Sequence, residues 1–154
     1  MTTTTLRTSA STSGLHDAPL PVRARLAAAW TSLMFFYIYV DYLHLYKPGA
    51  LEEILAGRVH TFEANQAFAT TSLALVGIPA VMVMLSAVLP GRTNRLLNLV
   101  VAALYVPVTV FNLSGGEWLA FYGLGVVVET VILGYVVRTA WSWPRSGSAP
   151  ASGL

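Results

Sequence analysis

Residues 64–91 read ANQAFATTSLALVGIPAVMVMLSAVLPG, 28 positions without a charged side chain. A bilayer core about 30 Å thick is crossed by roughly 20 apolar residues in a helix, so this stretch is long enough to span it. Three flanking stretches qualify too. Leu96 to Gly116 has no charge, Leu26 to Tyr46 has only Asp41, and Trp118 to Val137 has only Glu129. A soluble helix bundle needs polar outer faces, and residues 64–91 and Leu96 to Gly116 have none broad enough. The fold class that follows is all-α, an integral membrane four-helix transmembrane bundle with spans at about 26–46, 66–89, 95–113 and 118–140.

Composition points the same way and removes whole classes of function. The chain is 55% hydrophobic and 10% charged, where soluble domains carry roughly 25% charged residues. Its net charge of +2 comes from scattered arginines, so a basic nucleic-acid-binding face is excluded. Without cysteine there is no disulfide framework, thiol nucleophile or thiolate metal site. No histidine pair has metal-ligand spacing, and only His44 lies in a span, which excludes bis-histidine haem ligation within one chain. Glycine-rich phosphate loops are missing as well. No cofactor and no metal are expected, and an enzyme is disfavoured, with no catalytic residue indicated.

Arginine and lysine set the orientation. Arg7, Arg23, Arg25, Arg92, Arg95, Arg138 and Arg145 fall on one side, seven of nine positive charges. Lys47 and Arg58 fall on the other, among Glu52, Glu53, Glu63 and Glu117. Both termini are therefore expected in the cytoplasm, with Trp30, Trp141 and Trp143 at the inner interface and Tyr46 and Trp118 at the outer one.

Residues 1–22 form a Ser/Thr-rich tail too polar to bury a core, and 145–154 a second, Ser/Gly/Ala/Pro tail. The membrane domain is expected over 23–144. The first tail lacks the apolar run and cleavage site of a secretory signal, so the first span is expected to stay as an anchor. In the outer loop, Leu51, Ile54 and Leu55 recur at i, i+3, i+4 beside Glu52 and Glu53, with Gly57 after them. This predicts a short amphipathic helix over Ala50 to Ala56. Thr61 is the expected N-cap of the second span.

The run LAAAWTSLMFFYIYVDYLHLYKPG at 26–49 carries Trp30-Thr31-Ser32 and Tyr37-x-Tyr39-x-Asp41-Tyr42, then Pro48-Gly49 and the Glu52/Leu55 helix. Asn94-Arg95 with Asn98, Leu104-Tyr105 and Ala140-Trp141-x-Trp143-Pro144 follow. On these residues the chain resembles a family of small bacterial four-span membrane proteins of unknown function, over roughly residues 24–144. The resemblance implies four spans and a bacterial plasma (inner) membrane. It implies no reaction, ligand or catalytic residue.

Polar groups inside spans are costly and usually face protein or water. On a helical wheel Trp30, Met34, Tyr37, Asp41 and His44 share one face of the first span, with Tyr39, Tyr42 and Tyr46 behind them. The second span offers Gln66, Thr70 and Gly77, with Pro79 as an expected kink site. The third has a stripe of Asn94, Asn98, Tyr105, Thr109 and Asn112. The fourth presents Trp118, Tyr122, Gly125, Glu129 and Val136, where Gly125 leaves backbone open for a close helix or a ligand. Asp41 lies roughly 8 Å below the outer end of its span at about 1.5 Å per residue, at the depth of Asn112, Thr109, Gln66 and Thr70. Glu129 is near the midplane with no cation in any span.

Tyr37, Asp41, His44, Gln66, Thr70, Tyr105, Thr109, Asn112, Tyr122 and Glu129 are thus expected to line an outward-facing polar pocket with Glu129 at its floor. Packing of helix on helix is the competing explanation for the same stripes. Tyr37, Val40, Asp41, His44 and Leu45 also recur at an offset of 68 as Tyr105, Val108, Thr109, Asn112 and Leu113. That is a weak parallel two-span echo, or chance. The function expected is binding, or transport, of a small polar or amphipathic solute. The alternatives are a lipid-modifying enzyme and a non-catalytic assembly subunit. Membrane lipids are the expected partners, with a homodimer where transport is the task.

Overall fold

The computed structural model describes residues 18–112 and 118–144. The expected tails lie largely, and Leu113 and Glu117 wholly, outside the described residues. Four helices are long and apolar enough to cross a membrane: α1 (Val22–His44), α3 (Gln66–Val88), α4 (Gly91–Phe111) and α5 (Leu119–Trp141). Between α1 and α3 lie α2 (Ala50–Leu55) and a hairpin of β1 (Arg58–Val59) and β2 (Phe62–Glu63).

Backbone chemistry sets the boundaries. Pro21 precedes α1, and Gly49 and Gly57 bracket α2 at φ of 86° and 77°, left-handed values that favour glycine. The N-cap of α3 is Asn65, whose side chain accepts a hydrogen bond from the Phe68 amide at 3.0 Å. Thr61 instead belongs to the two-residue turn of the hairpin, so it does not cap the helix. At the other end, Leu89 precedes Pro90 and is forced extended, which stops α3 and lets α4 begin at once.

The helices run alternately up and down. α1 packs along both α3 and α5, and α4 packs along α5, while α3 and α4 touch sparingly. α1 and α4 face each other across the diagonal, where only long side chains meet. The end that holds the start of α1 and the finish of α5 is dense. Leu26, Trp30 and Leu33 interlock there with Met82 and Ser86, Asn94, Asn98 and Ala102, and Val136 and Ala140. Trp143 covers Gly91, and Arg95 lies over the Trp141 ring at 5.6 Å. At the opposite, hairpin end the bundle opens. No residue of α3 before Pro79 is buried, and Phe62 of the hairpin sits against both Phe68 and Phe111, with centroids 6.0 and 6.2 Å away, where α3 and α4 diverge.

Pro79 lacks an amide hydrogen, so the carbonyl four residues earlier, at Leu75, loses its helical partner. The Tyr105 hydroxyl of α4 donates to that carbonyl. Tyr105 thereby replaces the missing hydrogen bond where lipid offers none. Tyr105→Phe is expected to destabilise the protein by about 1–3 kcal/mol, the cost of one orphaned buried carbonyl. Restoring the amide with Pro79→Ala should recover most of that loss, as read by detergent unfolding of the two single variants and the double.

Candidate functional site

Two polar clusters occupy the bundle, and they differ in kind. The first lies at the dense end and is closed. Trp30 Nε1 donates to Asn98 Oδ1 at 2.6 Å, and Ser86 Oγ reaches the same oxygen at 3.3 Å. Asn98 Nδ2 donates to the Asn94 carbonyl at 2.9 Å and to Asn94 Oδ1 at 2.7 Å. Asn94 Nδ2 donates to the Ser86 carbonyl at 2.7 Å. All four side chains are 0% exposed. Three helices are tied here by saturated groups, so this half of the α4 stripe packs helices.

The second cluster surrounds a cavity of about 300 Å³ at the hairpin end. Asp41 and His44 come from the last turns of α1, Lys47 from the turn after it, and Glu53 from α2. His60 comes from the hairpin turn, Phe111 and Asn112 from the end of α4, and Tyr122 from α5. His44 Nδ1 and the Tyr122 hydroxyl share a hydrogen bond of 2.6 Å, which joins α1 to α5 across the cavity wall. Asp41 is exposed, lines the cavity, and has the His44 imidazole as its neighbour one turn on. His60 holds φ of 54°, a left-handed value uncommon for a residue with a side chain. The two-residue hairpin imposes that geometry, and it places an imidazole at the rim.

Glu129 lies one layer deeper, only 1% exposed. Asn112 stands between it and the cavity, with Nδ2 donating to both carboxyl oxygens at 3.1 and 3.2 Å. The Thr109 hydroxyl lies within hydrogen-bonding reach of both Glu129 and the Tyr37 phenol, which stacks on Tyr105 at 6.3 Å with planes 30° apart. Tyr37–Tyr105 and Trp30–Asn98 are both pairs 68 residues apart that meet on the bundle diagonal. The echo at that offset therefore corresponds to α1 and α4 lying in register across the axis.

Of the expected pocket residues, Asp41, His44, Asn112 and Tyr122 line the cavity. Tyr37, Tyr105, Thr109 and Glu129 gather beneath it. Gln66 and Thr70 are exposed on α3 and are not among the lining residues, because that half of α3 stands away from the others. A Cβ on Gly125 would meet nothing nearer than Phe36 at 4.0 Å, so no helix backbone crowds that glycine. Lys47, Glu53 and His60 are cavity residues the span-by-span reading missed. The Leu51, Ile54 and Leu55 pattern with Glu52 and Glu53 announced the loop helix, and that helix brings Ala50 and Glu53 to the cavity while Leu51 and Leu55 stay exposed. Among the described residues no three His, Asp or Glu side chains gather as a metal centre.

Residues 21–148 match the sequence profile of DUF6326, a family of unknown function. No curated protein and no solved structure matches the chain.

Proposed function

The chain belongs to the DUF6326 family, whose function is unknown, and we propose that it binds a small, positively charged polar solute in the cavity at the hairpin end. The observation that carries this reading is the cavity itself, about 300 Å³ lined by two carboxyls, Asp41 and Glu53, with one ammonium, Lys47. Phe111 and Tyr122 add aromatic faces, which attract ammonium groups. Small-molecule sites combine such a shape with a few convergent polar groups. The arginine distribution supports an orientation with both termini inside and the cavity mouth outside, and the resemblance to small bacterial four-span proteins implies a bacterial plasma membrane. A transport role calls for a pair of chains, and the exposed Tyr39, Tyr42 and Tyr46 row is the contact surface proposed for it.

Titrating the purified protein in detergent with choline and ethanolamine, against glucose and acetate, tests the reading. The ammonium compounds are expected to bind, and Asp41→Asn should weaken them about tenfold or more, the loss of one charge-assisted contact. Equal binding of all four probes, or an unchanged affinity in Asp41→Asn, sinks it.

A further inference from the structure

Arg25 of α1 is half-buried, and its Nε is enclosed without a hydrogen-bond acceptor among the described residues. Buried donors are nearly always bonded, as those of Trp30, Asn94 and Asn98 are at the same end of the bundle. A guanidinium keeps its charge in proteins, and a charge drawn out of water needs a counter-charge close by. Among the described residues no acid at the dense end supplies one. The acids there are Asp41, Glu52, Glu53, Glu63 and Glu129. Of these, Glu129 comes nearest to the dense end along its helix, and it still lies about 13 Å along α5 from Arg138.

The surroundings of Arg25 are basic instead. Arg25 is fourth from the start of α1, Arg95 fifth from the start of α4, and Arg138 fourth from the finish of α5. All three therefore lie roughly 4–6 Å inside the dense end, in one layer. Phe36 stands about 20° round the wheel from Arg25, and its ring is nearest to a Cβ placed on Gly125 of α5. Arg25 thus occupies the side of α1 that turns to α5. Arg95 lies over Trp141 at the finish of the same helix, and that indole is exposed, as tryptophans at headgroup level are.

We propose that the dense end binds the phosphate of an anionic phospholipid beside the finish of α5, with Arg25 as the principal contact and Arg95 and Arg138 flanking it. A guanidinium fork matches the two free oxygens of a phosphodiester. A zwitterionic lipid brings the same phosphate together with an ammonium, which three arginines repel. A headgroup of net negative charge brings the phosphate alone. Basic pockets between membrane helices seat such headgroups. The phosphate supplies the counter-ion that Arg25 lacks and ties α1 to α5 where both helices end.

The test is thermal unfolding of the full chain in detergent, titrated with phosphatidylglycerol against phosphatidylcholine at equal mole fraction and fixed salt. No cavity solute is present, so the outcome is independent of what the cavity binds. A saturable rise in unfolding temperature is expected with phosphatidylglycerol, beyond any rise with phosphatidylcholine. Arg25→Gln should raise the half-saturating mole fraction about tenfold. Arg23→Gln removes the same charge from the opposite face of α1, about 200° round the wheel, and should leave that mole fraction unchanged. Equal rises with both lipids overturn the site. Equal losses in the two variants also overturn it, because they show attraction to net charge alone. Inorganic phosphate that reproduces the rise makes the ligand a free anion and equally overturns it. So does an Asp17→Asn variant that loses as much lipid-free stability as Arg25→Gln, since Arg25 then has its partner in the N-terminal tail.

Discussion

Asn98→Leu is expected to lower the unfolding free energy by about 2–4 kcal/mol, more than the other single changes argued for this chain. The side chain is 0% exposed and serves three partners at once. Its oxygen accepts from Trp30 Nε1 and Ser86 Oγ, and its amide donates to the carbonyl and side chain of Asn94. Leucine keeps the volume and removes every one of these bonds. The indole of Trp30 and the hydroxyl of Ser86 are then stranded among apolar neighbours, each at about 1–3 kcal/mol. Interhelical hydrogen bonds in membranes average only about 0.6 kcal/mol, because the unfolded helices find other partners in the same bilayer. The larger figure rests on loss of a shared hub, not of one pair.

A double-mutant cycle separates these contributions. Trp30→Phe removes the indole donor, so Trp30→Phe with Asn98→Leu should cost less than the sum of the two singles. Detergent unfolding supplies the four free energies. Strict additivity would show that Trp30 and Asn98 do not depend on one another, and the hub interpretation would fail.

This network also marks how far the sequence could be read. The spans were legible because lipid allows no compromise: a run such as 64–91 has no other stable fate. The burying faces of α1 and α4 followed from the 3.6-residue period, which put Trp30 and Tyr37 on one stripe and Asn94, Asn98, Tyr105 and Thr109 on another. Periodicity tells which side of a helix turns inward but not which helix it meets. The diagonal contact of α1 with α4, and the role of Ser86 on a helix otherwise apolar near that end, are properties of packing. The hairpin was hidden for a different reason. His60 and Thr61 carry none of the Asn-Gly or Asp-Gly chemistry that announces a two-residue turn. Gln66 and Thr70 shared a wheel face and a depth with the site residues, yet lateral splay of α3 lies outside what depth and angle encode. Pro79 was visible as a backbone defect. Its repair by Tyr105, 26 residues on in the next helix, was not.

Glu129→Leu is expected to make the protein more stable, by about 1 kcal/mol in detergent unfolding. The reasoning turns on what the carboxyl gives the fold. Its contacts are Asn112 Nδ2 at 3.1 and 3.2 Å and the neighbouring Thr109. Asn112 borders the cavity, so its amide can turn to water when the acceptor is gone. Leucine fills nearly the same volume without a polar head to desolvate. A carboxyl kept at 1% exposure beside Asp41 therefore costs the fold more than it returns. Groups retained against stability belong to function. Glue behaves in the opposite way, as at Asn98, where the same kind of replacement destabilises. The two variants form a matched pair in one unfolding assay, one at the dense end and one near the middle of the bundle. If Glu129→Leu loses 2 kcal/mol or more, the carboxyl holds helices together, and its reading as the polar floor of the cavity loses its basis.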